Sequence, residues 1–216
     1  KVTIVISDMT RFWMRQDIIC ELLVKYLNEN NKVPFENMAV VVALGTHRKN
    51  SLEELEKLAS SFVYSHVSVT DHDCDAEDLV YLGTTSLGTE VRVNPLCAGG
   101  RKVICIGGTV HHIMAGYGGG RKSILPGLDP EKAMTDIKVG SGKLGPNPIH
   151  EDMDEAAALV NPVFGINIVV NTASKLSGLF CGNFHNAWLE SCRYQQKCYG
   201  LPIENEADIV IASCGG

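Results

Sequence analysis

Long apolar runs, a surplus of positive charge and internal repeats are all missing from this sequence of 216 residues. A helix that crosses a bilayer needs about 18 or more consecutive apolar residues, and no stretch approaches that length, so we expect no membrane association. The 25 acidic residues outnumber the 19 basic ones, and the formal net charge of −6 disfavours a nucleic-acid partner, which would require a basic surface. The length suits one or two ordinary domains.

Cysteine pairs with the spacing of metal or redox motifs are missing as well. The eight cysteines include no Cys-x-x-Cys pair, and several stand within apolar segments that read as strands or helices. Free, mostly buried thiols in a reducing compartment explain this usage better than a disulfide framework does. We therefore expect a cytoplasmic protein.

Segments of strand and helix character alternate along the chain. The β-branched run at residues 2–7 is followed by residues 16–28, where apolar side chains recur at helical spacing, and Ser51 with Glu54 forms a capping box that begins another helix. This alternation predicts an α/β fold with a mixed, largely parallel sheet and flanking helices, similar to a Rossmann fold. The other predicted elements are strands at 38–45, 67–70, 103–107, 166–171, 176–181 and 208–212, a hairpin at 79–93, and helices from 129, at 147–160 and at 185–199.

Residues 111–127, with the sequence HHIMAGYGGGRKSILPG, combine imidazoles, a glycine run and a lysine. Glycine reaches positive φ without steric cost and lets a ligand approach the backbone closely, which predicts a binding loop. The glycines in question are Gly116, Gly118, Gly119 and Gly120.

Two familiar phosphate-binding motifs do not fit this loop. A P-loop requires glycine where Arg121 stands and a long helix where Pro126 stands, and a dinucleotide fingerprint would require glycine at Arg121 or at Ser123. An anion-binding loop remains, with Lys122 as charge partner or nucleophile. The alternative is a tight turn with solvated cations.

Several polar residues directly follow predicted strands. They are Asp8, Arg11, His47, His111 and His112, and because open α/β sheets bind ligands outside the carboxyl ends of their strands, we expect these residues to meet in one cleft.

The residue types in this cleft suit acid–base chemistry. Arg11 could clamp a carboxylate, Asp8 could act with it or cap a helix, and His47 could be a base or a structural histidine. Two separated histidines suit a reaction that requires a base on each face of a carbon, such as a racemisation.

The motifs together resemble the N-terminal domain of the nickel-pincer lactate racemase family. That family carries Asp-x-Thr-Arg, Gly-Thr-His-Arg and His-x-x-Ala-Gly-x-x-Gly-Gly-x-Lys, followed by Leu-Pro-Gly. Here these motifs stand at residues 8–11, 45–48, 112–122 and 125–127, and residues 147–153 are similar to a later helix start of the family.

The resemblance implies a role for each matching residue. Lys122 matches the lysine to which the pyridinium-3,5-bisthiocarboxylic acid mononucleotide is attached, with the glycine loop around that cofactor. His47 and His112 match the two acid/base histidines, and Arg11, with Asp8 beside it, matches the group that orients the substrate carboxylate. The implied activity is racemisation or epimerisation of a 2-hydroxy acid by hydride transfer to and from the nickel cofactor.

The sequence departs from the family pattern at two places. The family's nickel-binding histidine is expected near Lys138, where no imidazole stands, and His150 is the nearest downstream candidate for a metal ligand. Phe12-Trp13-Met14 replaces a proline-bearing segment, so the substrate need not be lactate itself.

The resemblance also predicts the organisation of the protein. Residues 1–206 would form the catalytic and cofactor-binding domain, and residues 207–216 would begin a second domain that carries a further substrate-binding lysine. The partner would be a small 2-hydroxy acid, and the sequence leaves open whether the protein is a homo-oligomer.

Two other functions remain open at this stage. The loop from Gly116 to Lys122 could serve a phosphate-ligand transferase. A homologue that binds the cofactor without turnover would explain the missing histidine near Lys138.

Overall fold

A six-stranded sheet forms the centre of the computed structural model, which describes residues 1–127, 145–202, 208, 209 and 211. The described strands are β1 (Val2–Ser7), β2 (Met38–Ala43), β3 (Ser68–Asp71), β4 (Val80–Thr84), β5 (Glu90–Val93), β6 (Lys102–Gly108), β7 (His111–His112), β8 (Gly116–Tyr117), β9 (Phe164–Val170) and β10 (Leu176–Gly182). The order in the large sheet is β10-β9-β6-β1-β2-β3, and the pairs β4-β5 and β7-β8 form two small sheets.

Strand β1 lies in the middle of the large sheet, between β2 and β6. It runs parallel to both, so that Val5 stands opposite Val41 and Cys105. The pairs β2-β3 and β6-β9 are parallel too, and β10 runs antiparallel to β9. The predicted mixed, largely parallel sheet is therefore confirmed. The chain passes from β1 outward to β3 and then returns to the other side of β1 for β6, a reversal of the kind at which open α/β sheets bind ligands.

Helices flank this sheet where the sequence predicts them, with one addition. The described α-helices are α1 (Gln16–Glu29), α2 (Leu52–Ala59), α3 (Ser61–His66), α4 (Pro148–Val160) and α5 (Phe184–Tyr199). The capping box of Ser51 and Glu54 is present at the start of α2. Helix α3 is absent from the sequence prediction because Ser60, with a φ of 85°, ends α2 and at once accepts a hydrogen bond from the Val63 amide that begins α3.

Apolar side chains cover both faces of the sheet. In β1, Ile4 and Ile6 belong to the layer with α1, α2 and α3, whereas Val5 belongs to the layer with α4. Successive side chains of a strand point to opposite faces, so a strand buried on both faces is a mostly apolar run. The polar residues that follow the strands lie at the carboxyl edge of the sheet, outside these apolar layers.

The predicted hairpin is confirmed as β4 and β5. The buried carboxylate of Asp152 in α4 accepts hydrogen bonds from the hydroxyls of Thr85 and Thr89 in the turn of this hairpin. These bonds connect the hairpin to α4.

Some expectations fall outside the described residues. These are the helix predicted from residue 129, the surroundings of Lys138, and most of the strand predicted at 208–212. Among the helices that are described, none combines the length and apolar character needed to cross a bilayer. Among the cysteines that the structure describes, four are buried free thiols, namely Cys20, Cys97, Cys105 and Cys192.

His72, the first residue after β3, makes the stability of this fold sensitive to acid. Its side chain is 1% exposed, and neither ring nitrogen has a hydrogen-bond partner among the described residues. Burial lowers the pKa of His72 from 6.5 to about 4. Between these two pH values the unfolded chain binds a proton that the folded chain excludes, so stability is lost as the pH falls from about 6.5 towards 4.

We predict that His72→Leu reduces the loss of folding stability between pH 6.5 and pH 4. At pH 4 the difference between variant and parent should be roughly 3 kcal/mol larger than at pH 7, as expected for a pKa difference of about two and a half units. Urea unfolding at both pH values measures it. An unchanged difference would mean that His72 is not responsible.

Candidate functional site at the carboxyl edge of the sheet

An open cleft of about 190 Å³ lies where the carboxyl ends of β1, β2 and β6 meet. Because β1 stands between the other two strands, the loops that follow these strands are neighbours. The cleft brings together seven residues singled out from the sequence, namely Asp8, Arg11, His47, His112, Gly118, Gly119 and Lys122.

The buried carboxylate of Asp8 pairs with the half-exposed imidazole of His47. One carboxylate oxygen of Asp8 contacts His47 Nδ1, and the other accepts a hydrogen bond of 2.7 Å from the Thr10 hydroxyl. Asp8 precedes a short 3₁₀-helix, Met9–Met14, but its side chain makes no capping bond there. The capping alternative is therefore wrong, and the carboxylate fixes the orientation of the imidazole.

Arg11 brings a positive charge to the same side of the cleft. Its Nη1 donates to Thr10 Oγ1 at 2.8 Å, so the Thr10 hydroxyl joins the arginine to Asp8. Because Arg11 also lines the cleft, its guanidinium could bind a carboxylate there.

The adjacent residues His111 and His112 lie in different surroundings. His112 lines the cleft, and its Nδ1 accepts hydrogen bonds from the backbone amides of Met114 at 3.2 Å and Ala115 at 3.1 Å. His111 is exposed outside the cleft, with its Nε2 3.1 Å from Gln196 Oε1.

The surroundings of His112 keep its ring uncharged. Burial, followed by the positive charges of Lys122, Arg11 and Arg121, lowers the pKa of His112 to about 4. At neutral pH the cleft therefore contains the neutral imidazole of His112 together with the cationic side chains of Arg11 and Lys122.

Lys122 reaches the cleft from a tight 3₁₀ turn, Gly120–Ser123. The glycine run before it is used for packing as well as for access. The Gly118 amide donates to Val110 O at 2.8 Å, and the Gly120 amide donates to Asn167 Oδ1 at 3.1 Å. These two amides are committed inside the protein, so the positive side chains rather than this pair of amides would attract an anion.

Arg121, directly before Lys122, is buried and 1% exposed. Its guanidinium donates to Ala115 O at 2.6 Å, Tyr117 O at 3.2 Å and His150 Nδ1 at 2.8 Å, and lies 3.9 Å from the centre of the Trp188 ring. Burial lowers the pKa of Arg121 to about 10. The alternative of a turn with solvated cations is therefore wrong for this residue.

The structure does not bring His150 to the cleft. Its Nδ1 is occupied by Arg121, and its Nε2 lies 3.5 Å from Asp154. Within residues 1–127 and 145–202, no group of three or more histidine, cysteine or acidic side chains converges on a metal-sized space. The surroundings of His150 thus give no support to its candidacy as a metal ligand.

Gly116 and Gly120 also stand behind the cleft rather than in its wall. Gly116 pairs with His112 in the β7-β8 ladder, which closes the turn around the two amides that bond His112. Gly120, with a φ of 49°, lies against Trp188.

Sequence reasoning missed several residues that shape the site. A Cβ at Gly107 would lie 3.2 Å from Gly119 Cα, and one at Gly108 would lie 2.8 Å from Met14 Sδ, so the glycine pair at the end of β6 lets the loops approach. Two consecutive glycines at a strand end are a readable signal for such an approach. The buried Asn167, by contrast, has no such signal.

The fold and the cleft define an α/β domain in which imidazole, carboxylate and cationic side chains meet at the carboxyl edge of the sheet. The chain belongs to the lactate racemase N-terminal domain family, whose sequence model matches residues 1–137. It is 31% identical to a lactate racemase of Thermoanaerobacterium thermosaccharolyticum and 30% identical to one of Lactiplantibacillus plantarum, in each case over 100% of this chain and 52% of the relative. The chain thus spans about half the length of the curated relatives it matches.

Solved structures agree with this assignment. The lactate racemase apoprotein of T. thermosaccharolyticum superposes with a TM-score of 0.80 at 29% identity, over 89% of this chain and 48% of that one. A Thermotoga maritima protein superposes with a TM-score of 0.74 at 21% identity, over 91% of this chain and 54% of that one, and shares the fold.

We predict that Gly120→Ala destabilises the domain by about 2–4 kcal/mol, through a strained φ and a forced contact. The added Cβ would lie 2.6 Å from Trp188 Cγ. Gly99→Ala is the control, because Gly99 has a φ of 64° but nothing within 4 Å of the added atom, and should cost about 1 kcal/mol or somewhat more. Urea unfolding compares the two, and equal losses would contradict a role for the Trp188 contact.

Proposed function

We propose that the full-length protein is a racemase or epimerase of a 2-hydroxy acid. The observation that carries the proposal is the meeting of two imidazoles, Arg11 and Lys122 around one cleft, in a chain whose relatives are named lactate racemases. Arg11 would bind the substrate carboxylate. His47 and His112 would act on the hydroxyl group, His47 with the support of the Asp8 carboxylate.

The chemistry of a 2-hydroxy acid explains why such a site needs a cofactor. The hydrogen on the hydroxyl-bearing carbon is too weakly acidic for a side chain to remove as a proton. Inversion through a keto acid therefore needs a group that accepts and returns a hydride, while the protein orients the substrate and moves the hydroxyl proton.

We propose that this group is the nickel-bound pyridinium-3,5-bisthiocarboxylic acid mononucleotide, attached to Lys122. The nucleotide part fits the site, because Lys122 offers an amine in the cleft and Arg11 and Lys122 supply charge for an anion. For the metal part, residues 1–127 and 145–202 show no converged ligand set, and His150 lies outside the cleft, so this part of the chain identifies no nickel ligand. When bound, the cofactor would supply the hydride acceptor.

A homologue that binds the cofactor without turnover is the second candidate. The missing imidazole near Lys138 and the position of His150 favour it. A phosphate-ligand transferase is less well supported, because the amides of Gly118 and Gly120 already have partners inside the protein.

The wider setting belongs to the same proposal. Residues 1–206 would be the cofactor-binding domain of a two-domain cytoplasmic enzyme, with a second domain completing the substrate site. The free thiols support a reducing compartment.

Intact mass tests the cofactor proposal. Protein produced in a host that makes the cofactor should carry a sulfur-containing, nucleotide-sized adduct, which peptide mapping should place on Lys122. Lys122→Arg keeps the charge and should lack the adduct. An unmodified parent protein would overturn the attachment.

Racemisation of a panel of chiral 2-hydroxy acids tests the activity. In the full-length, cofactor-loaded enzyme, His47→Ala and His112→Ala should each lower kcat by about 10²-fold or more, the usual size of the contribution of an acid–base group or of a hydrogen-bond donor to a charged oxygen. His111→Ala, outside the cleft, should stay near the parent value. A larger loss for His111→Ala than for His112→Ala would overturn the assignment, and a parent that leaves the whole panel unchanged would overturn the proposed function.

A further inference from the structure

The two cleft histidines make opposite hydrogen bonds through the same ring atom. Nδ1 of His47 faces the carboxylate of Asp8, whereas Nδ1 of His112 faces two backbone amides. A neutral imidazole carries one proton, so the partner of Nδ1 decides which nitrogen bears it.

For His112 the partners leave a single choice. Backbone amides only donate, so Nδ1 must offer them a lone pair, and the ring proton must be on Nε2. Turning the ring over would place a carbon against both amides and remove both bonds. The contacts therefore fix the tautomer as well as the orientation.

For His47 the partner requires the reverse. The Asp8 carboxylate, 5% exposed, accepts a hydrogen bond and so holds the ring proton on Nδ1. Nε2 of His47 is then left with a lone pair.

We propose that, in the resting enzyme, His47 is the one cleft histidine able to accept the substrate's hydroxyl proton, and that His112 meets the substrate oxygen as an N–H donor. The inference rests on the proposed function. The proton moves from the substrate O–H to His47 Nε2, the electron pair stays on the oxygen, and Asp8 stabilises the imidazolium that forms. His112 keeps its proton and donates a hydrogen bond to the oxygen, as a donor in an oxyanion hole does.

The electrostatic surroundings agree with this division. Burial, followed by the charges of Lys122, Arg11 and Arg121 among the described residues, lowers the pKa of His112 to about 4. A neutral donor is the form that such surroundings favour.

Asn147, the N-cap of α4, is the positioning residue for His112. This fully buried side chain accepts a hydrogen bond from the His150 amide, and its Nδ2 donates to Met114 O at 2.9 Å. Met114 O and the Ala115 amide belong to the same peptide group, so Asn147 holds and polarises the peptide that bonds His112.

Nitrogen NMR of the full-length protein, with ¹⁵N-labelled histidine, tests the tautomers without reference to activity. His112→Gln identifies the resonances of His112 by their loss. We expect His112 to bear its proton on Nε2 alone from pH 5 to pH 8. A proton on Nδ1 in this range, alone or with Nε2, would overturn the inference.

Asn147→Ser tests the positioning role against Asn183→Ser. Both asparagines are helix N-caps, and serine keeps a capping oxygen in each, but serine at 147 is too short to reach Met114 O. Asn147→Ser should bring the midpoint of the His112 titration up by at least one pH unit, and Asn183→Ser should leave it in place. If His112 titrated with the same midpoint in both variants, Asn147 would act only as a helix cap and the positioning role would be refuted.

Matched glutamine variants test the division of roles in turnover. Glutamine at 112 can accept from the two amides through its oxygen and donate to the substrate through its nitrogen, so His112→Gln should lose at least about 10-fold less kcat than His47→Gln. Glutamine at 47 cannot take up a proton, so His47→Gln should lose about 10²-fold or more. Equal losses would overturn the division. A parent protein without racemase activity would refute the proposed function alone, since the NMR measurement still decides the tautomers.

Discussion

The buried guanidinium of Arg121 is the interaction on which the arrangement of the cleft depends. A cation removed from water is costly unless hydrogen bonds and polarisable partners replace its hydration. Here the partners are Ala115 O, Tyr117 O, His150 Nδ1 and the ring of Trp188. These partners belong to the glycine loop, α4 and α5, so the contacts of the Arg121 side chain hold three parts of the structure together.

The buried Arg121 fixes the positions of Lys122 and His112. Lys122 follows Arg121 in the chain and therefore emerges where the buried turn directs it. Ala115 joins the anchor to the imidazole of His112, because its carbonyl accepts from Arg121 while its amide donates to His112. Asn147 holds the neighbouring carbonyl from the other side. The asymmetry between the two histidines thus arises from backbone groups that the fold has fixed in place.

Close approach of backbones is the second condition for the cleft. The turn that carries His47 docks on the Leu-Pro-Gly segment, where the Gly45 amide donates to Gly127 O at 3.1 Å. A Cβ at Gly127 would lie 2.5 Å from Ser123 O, so only glycine fits there. The Gly-Thr-His-Arg and Leu-Pro-Gly motifs, which are far apart in the sequence, are in contact because Gly45 and Gly127 carry no side chain.

The sequence by itself determined the six strands of the large sheet, the β4-β5 hairpin, most of the described helices and the capping box at Ser51, because these follow from local periodicity. It also indicated which residues would gather at the carboxyl edge, because parallel strands end at the same edge of a sheet. It could not predict α3, whose start depends on the φ of Ser60, or the burial of Arg121, since an arginine in a glycine-rich turn usually reads as solvated. Tertiary structure alone decided that His150 serves Arg121 rather than the cleft, and that His47 and His112 face opposite partners. The physical reason is that a tautomer and a buried charge are set by contacts between residues distant in the chain, which no local pattern encodes.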